Sequence, residues 1–186
     1  MTLSLLAQES AISRSEYGFL IDYLEITRDQ ITGVLDTIGE EAWTYKPEDG
    51  GWSIRECMEH IMLAEAGIFS EFQQVLKKAP QELDTKHLDA WLVSKVSDRG
   101  RKVITPLPMV DSGRSKAEFI SDINTSRENI FHFISDFSQI PFRNHFGTSP
   151  YGPADAYQLL LVLGAHAMRH HAQMVEVLEE YQRSVE

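Results

Sequence analysis

One apolar stretch near the end of the chain, residues 159–175, constrains the fold more than any other segment. It is long and contains no proline, so it predicts a buried helix. The residues along one face of this helix are Leu159, Leu163, His166, His170, Gln173 and Val177. Imidazoles therefore occupy positions where a buried helix would normally carry leucine. Because His166 and His170 are four residues apart, they lie on one face, about one turn from each other.

Two buried imidazoles require polar partners, because burying an unpaired polar group costs free energy. A metal ion is one candidate partner, since histidine is the commonest protein ligand and the i, i+4 spacing on a helix suits chelation. The alternative is a pair of core histidines that are hydrogen-bonded to other protein groups. The H-x3-H pattern alone does not decide between these two interpretations.

The remaining sequence predicts three further long helices and no strand. The expected helices span residues 15–38, 53–78, 115–137 and 153–182, and Pro153 fits the first position of the last one. Ser53 with Glu56, and Ser115 with Glu118, form S-x-x-E capping boxes that mark two of the starts. Four amphipathic helices predict an all-α four-helix bundle. The predicted domain is single and spans residues 1–186, with residues 1–12 as a loose lead-in.

The connections suggest that the bundle does not follow a simple up-down-up-down path. Residues 40–51 link the first two helices, whereas residues 79–114 link the second to the third and include a short helix at about 86–95. A connection of this length in a compact domain is usually functional or a crossover.

A bundle builds metal sites from side chains on facing helices. Among the histidines outside the last helix, His60 is the one at a core-compatible position within a long helix. The others, His87, His132 and His145, fall on connections or off an apolar face. The residues themselves therefore select His60, His166 and His170 as candidate ligands.

Five further residues have expected roles. Glu56 is expected to cap its helix, and Glu59 and Glu65 to be solvated. Arg127 lies on an apolar face, so we expect a carboxylate partner for it; the alternative is an arginine whose charged end reaches solvent. Gln173 lies one turn beyond His170 and is expected either to orient a ligand or to be a simple core amide.

Charge and composition exclude several classes of protein. The net charge is −11 and the basic residues are scattered, which argues against nucleic acid as a partner and against anionic membranes. Cys57 is the only cysteine, so neither an internal disulfide nor a cysteine-based zinc site is expected. The run 159–163 is too short to span a membrane, and the N-terminus lacks a basic region before a long apolar run. We therefore expect a cytoplasmic protein.

Several motifs together carry a family resemblance. They are the segment Trp52-Ser53-Ile54-Arg55-Glu56 followed by His60, the pair Asp98-Arg99, the proline-containing middle loop, the triplet His145-Phe146-Gly147, and His166-x3-His170-x2-Gln173 with Arg169 before the second histidine. On these residues the chain resembles the DinB/YfiT-like superfamily of metal-dependent enzymes, from about residue 52 to residue 176. The resemblance implies a four-helix bundle with a long crossover connection between helices 2 and 3. It also implies one divalent metal ion, nickel or zinc, bound by His60, His166 and His170.

The function that the resemblance implies is that of a metal-dependent enzyme acting on a small molecule. The reaction would be hydrolysis or the transfer of a low-molecular-weight thiol, and three histidines leave a coordination position for water or substrate. The alternative is a non-catalytic metal-binding or stress-response protein with a structural ion. A further alternative is a partner-binding bundle without an ion. Similar proteins often pair through bundle faces, so we expect a homodimer.

Overall fold

The computed structural model describes residues 11–101 and 111–186. Four long helices dominate it: α1 (Arg14–Thr37), α3 (Ile54–Val75), α5 (Lys116–Phe133) and α6 (Ala156–Ser184). Two shorter helices are α2 (Glu40–Thr44) and α4 (Asp89–Ser97), and single 3-10 turns cover Lys86–Leu88 and Phe137–Gln139. The predicted four-helix bundle is confirmed. The predicted lead-in lies mostly outside the described residues, as does part of the long middle connection.

Each long helix begins at a reciprocal capping box. The predicted boxes at Ser53 and Ser115 are confirmed, and Ser13 with Glu16 and Asp155 with Gln158 form two more. In each box the cap side chain accepts from the N3 backbone while the N3 side chain accepts from the cap backbone, so two otherwise unpaired N–H groups are satisfied.

The start predicted for the last helix is wrong. Pro153 lies in a β-strand, and the helix begins after Asp155, whose carboxylate accepts from the Gln158 backbone N–H at 2.8 Å. The strands β1 (Phe146–Ser149) and β2 (Gly152–Asp155) form an antiparallel hairpin, which the expectation of no strand missed. Gly152 has a φ of 114°, a conformation that a side chain would strain. Each strand is only four residues long and contains glycine or proline, so no alternating apolar pattern could develop.

Contacts define the helix directions. Glu59 of α3 pairs with Arg114, just before α5, and Glu65 of α3 pairs with Arg127 of α5. Contact positions therefore increase together, and these helices run parallel. When two consecutive helices are parallel, the chain between them must run back along the length of the bundle, and a crossover connection of the predicted kind does this. Residues 102–110 of the connection lie outside the described part of the chain. Helices α3 and α6 run antiparallel, because Trp52, just before α3, contacts His170 whereas His60 contacts His166.

An ion pair with both members almost fully buried lies in the core. Arg127 on α5 meets Glu65 on α3, with exposures of 0% and 2%. The expected carboxylate partner of Arg127 is thus confirmed, and the expectation that Glu65 is solvated is wrong. Glu59 is also buried, at 3% exposure, because the Ser112 backbone N–H donates to it at 2.8 Å and Arg114 lies 3.0 Å away. Both carboxylates face α5 or the segment before it.

Within residues 11–101 and 111–186, none of the helices combines the length and the apolar character that crossing a membrane would take.

Candidate metal centre

Three histidines from two antiparallel helices meet in the bundle interior. His60 comes from α3, and His166 and His170 come from successive turns of α6. The Nε2 atoms of His60 and His166 are 3.0 Å apart, and one ring nitrogen from each histidine lies within 4.8 Å of the others. The structure therefore brings together the three histidines that the sequence selected.

Burial keeps these imidazoles neutral. It lowers the pKa of His60, and burial together with the neighbouring His60 and Arg169 lowers the pKa of His166 to about 3. The pKa of His170 falls to about 2, mainly through burial and then through His166 and His60. A neutral imidazole presents the lone pair that a metal ion needs.

The spacing of the nitrogens fits one shared ion. Histidine nitrogens lie about 2.1 Å from a bound zinc ion, so two of them are about 3.4 Å apart at the tetrahedral angle and about 3.0 Å apart at the right angle of octahedral coordination. The Nε2 atoms of His60 and His166 are 3.0 Å apart, which is the octahedral separation and slightly less than the tetrahedral one. Within the described residues, the group that could hold a metal consists of these three histidines and contains no carboxylate.

Trp52 forms one wall of the cluster. Its ring centroid lies 5.8 Å from that of His170 in a stacked arrangement and 4.9 Å from that of His60. From the sequence, Trp52 was named only in the segment that carries the family resemblance, so its contact with the histidines was missed. Because Trp52 precedes the N-cap Ser53, helical periodicity gave no signal for this contact.

A polar chain lies behind His170. Its Nδ1 is 3.0 Å from Oε1 of Gln173, and Nη1 of Arg99 donates to the same oxygen at 3.3 Å. Arg99 also pairs with Glu176 at 2.7 Å. Gln173 therefore contacts a candidate ligand, which favours the orienting role over the simple core amide.

Arg169 of α6 holds the segment that precedes residues 102–110 against α6. Its guanidinium donates to the backbone carbonyls of Asp98 and Arg101, the latter at 2.5 Å. Arg169 is buried. Consequently the Asp98–Arg101 segment is held next to the helix that carries His166 and His170.

The other residues considered from sequence lie away from the three-histidine cluster. Glu56 accepts from the Ser53 backbone N–H at 2.8 Å and from Lys46 at 2.6 Å, so its expected capping role is confirmed. His87 and His132 are exposed. His145 is buried, but its Nδ1 lies 3.1 Å from the carbonyl oxygen of Val75, at the far end of α3.

Comparisons with known proteins agree with this architecture. YfiT from Bacillus subtilis, described as a probable metal-dependent hydrolase with an unusual four-helix bundle topology, superposes with a TM-score of 0.64 at 15% identity, over 92% of this chain and 91% of that one. The protein YuaE of Bacillus subtilis (strain 168) is 23% identical over 151 residues, which cover 81% of this chain and 91% of YuaE. The family model of the DinB superfamily matches residues 23–174. The chain belongs to the DinB superfamily.

Proposed function

We propose that this chain is a metal-dependent enzyme that acts on a small molecule through one divalent ion bound by His60, His166 and His170. The observation that carries the proposal is the convergence of three neutral ring nitrogens, with Nε2 of His60 and Nε2 of His166 3.0 Å apart. The resemblance to YfiT, itself described as a probable metal-dependent hydrolase, supports the same reading.

Three neutral ligands favour a catalytic ion over a purely structural one. Structural zinc sites usually have four protein ligands, whereas catalytic sites have three and an open position. His166 is also partly exposed, so that among the described residues the cluster is not fully sealed from solvent. When bound, the ion would lower the pKa of a coordinated water or thiol and polarise a carbonyl group.

The chain's own residues would bind and shield this centre. The three histidines supply nitrogen ligands, Trp52 covers His60 and His170 with an apolar ring, and Gln173 contacts the outer nitrogen of His170. Because the cluster contains no carboxylate, we infer a mechanism without a carboxylate general base, either hydrolysis or transfer of a low-molecular-weight thiol. Zinc and nickel are the two proposed ions, since both accept imidazole ligands.

We also propose a homodimer. Trp91 and Phe133 are 45% and 41% exposed, and such apolar surface is costly to leave in water. Light scattering at high protein concentration tests this: twice the chain mass is expected, and a monomer contradicts it.

The first experiment measures metal in protein purified without a histidine tag. Wild type should contain one zinc or nickel per chain, and His166→Ala and His170→Ala should each lose it. His132→Ala is the matched control, because His132 is exposed on α5 and should not affect metal content. Metal retained in both ligand variants would contradict the assignment.

The second experiment measures turnover. Zinc-loaded and nickel-loaded protein would be assayed with ester and amide substrates, and with small thiols plus electrophiles. Activity that disappears in His60→Ala and His170→Ala supports the proposal. Stoichiometric metal with none of these activities would favour the alternative, a non-catalytic protein whose ion links α3 to α6.

A further inference from the structure

We infer that Gln173 is a positioning residue that fixes the tautomer of His170 and so directs the Nε2 lone pair of His170 toward the ion. This inference rests on the proposed metal function.

Arg99 identifies the Gln173 atom that faces His170. A guanidinium group can only donate hydrogen bonds, so the side-chain atom of Gln173 that lies 3.3 Å from Nη1 of Arg99 must be the amide oxygen. The amide nitrogen at that position would place donor against donor. The pair between Arg99 and Glu176, with Nη2 and Oε2 2.7 Å apart, holds the guanidinium in place. The assignment of oxygen and nitrogen in this amide, which is ordinarily ambiguous, therefore follows from its charged neighbour.

The oxygen in turn determines the proton position on His170. The same Oε1 lies 3.0 Å from Nδ1 of His170. An amide oxygen only accepts, so Nδ1 must carry the hydrogen. A neutral imidazole has one N–H and one lone pair, so the lone pair belongs to Nε2. An imidazole must be neutral to bind a metal ion, so its tautomer is the remaining variable.

A fixed tautomer of His170 should strengthen metal binding. A ring that samples both tautomers offers Nε2 as a ligand for only part of the time, and a ring without a partner at Nδ1 can rotate. Hydrogen bonds of this kind, from the outer nitrogen of a ligand histidine, typically change metal affinity about 10- to 100-fold. We expect a loss of this size when Gln173 can no longer accept.

Two substitutions at one position separate the acceptor from the shape of the side chain. Gln173→Met keeps the length but removes the acceptor, whereas Gln173→Glu keeps an acceptor oxygen and places a negative charge beside Arg99. Metal affinity, measured by competition with a chelator for zinc, should fall about 10- to 100-fold in Gln173→Met and should be retained or increased in Gln173→Glu. The control is Gln182→Met, the same change at an exposed position of α6.

Nitrogen-15 spectroscopy of the metal-free protein at neutral pH gives a readout that does not depend on metal or turnover. His170 should be the Nδ1–H tautomer in wild type and in Gln173→Glu, and should gain the Nε2–H form in Gln173→Met. An Nε2–H tautomer in wild type, or unchanged zinc affinity in folded Gln173→Met, would overturn the inference. If the wild-type protein binds no metal, the proposed function is wrong. The nitrogen-15 spectrum of the metal-free protein still shows whether Gln173 fixes the tautomer of His170.

Discussion

Arg127 and Glu65 join three of the four long helices inside the bundle. Nε of Arg127 on α5 lies 3.1 Å from both carboxylate oxygens of Glu65 on α3, and Nη1 donates to the Leu24 carbonyl of α1 at 3.2 Å. Ser126 also donates to Glu65, at 2.6 Å. The charged groups are almost completely enclosed, so each depends on the other for compensation.

Removing one member of this pair should destabilise the protein strongly. Arg127→Met leaves the Glu65 carboxylate buried without its cation, and breaking a buried pair in this way typically costs about 3–5 kcal/mol. The free energy of unfolding by denaturant measures the loss. Arg127→Met combined with Glu65→Met should recover much of it, because no buried charge remains. A double variant as unstable as the single one would show that the ion pair itself is needed.

Glu56→Gln should change stability slightly and leave most of the turnover. A glutamine at this position can still accept from the Ser53 backbone N–H, so the capping box survives. The pair with Lys46 is lost, but Lys46 and Glu56 are 53% and 32% exposed and such pairs contribute less than about 1 kcal/mol. Thermal unfolding and turnover are the measurements, with Glu56→Ala as the variant that removes the cap. Loss of all turnover with fold and metal intact would identify Glu56 as a general base.

Acid should destabilise the metal-free protein, and it should release the ion from the metal-bound protein. The pKa values of His166 and His170 are lowered to about 3 and about 2 in the folded protein, whereas an unperturbed histidine titrates near 6.5. The unfolded chain therefore binds more protons, and the stability present above about pH 6.5 is lost progressively as the pH falls toward these folded pKa values. Denaturant unfolding at several pH values between neutral and about pH 4 measures this slope. His166→Gln should make the free energy of unfolding depend less on pH, whereas His132→Gln should leave this dependence unchanged. Zinc affinity that stays constant over the same pH range would contradict an all-histidine site.

A second, more acidic loss of stability should come from Glu16. Burial raises the pKa of this carboxyl, but hydrogen bonds from Ser13 and the cations Arg143 and Lys86 more than offset it and lower the pKa to about 2. The stability from this depressed pKa is present above the ordinary value of 4.5 and is lost as the pH falls from there toward 2. Glu16→Gln should make unfolding less dependent on pH in that window, and an unchanged pH profile would contradict the role.

Features encoded within a few residues were predictable from sequence. The capping boxes at Ser53 and Ser115 are complete within four residues, and the spacing of His166 and His170 fixes one helix face. His60 could be added because it lies at the edge of an apolar stripe. These predictions required no knowledge of how the helices are arranged.

Features that depend on the arrangement were missed. Glu59 and Glu65 look solvated on their own helix, and they are buried because Ser112, Arg114 and Arg127 reach them from 53 to 62 positions away. The contact of Trp52 with His170 likewise depends on α6 passing the start of α3. Burial of a polar residue thus follows from its distant partner, and a single helix gives no sign of it.

The parallel direction of α3 and α5 also has a consequence for how fast the chain folds. The contacts that define the interior join residues far apart in sequence: 62 positions for Arg127 and Glu65, 106 for His60 and His166, and 141 for Tyr157 and Glu16. Distant contacts slow folding relative to bundles built from local helical hairpins, because long loops must close before the contacts form. Refolding of this helical protein should accordingly be slower than the microsecond-to-millisecond range of simple helical bundles.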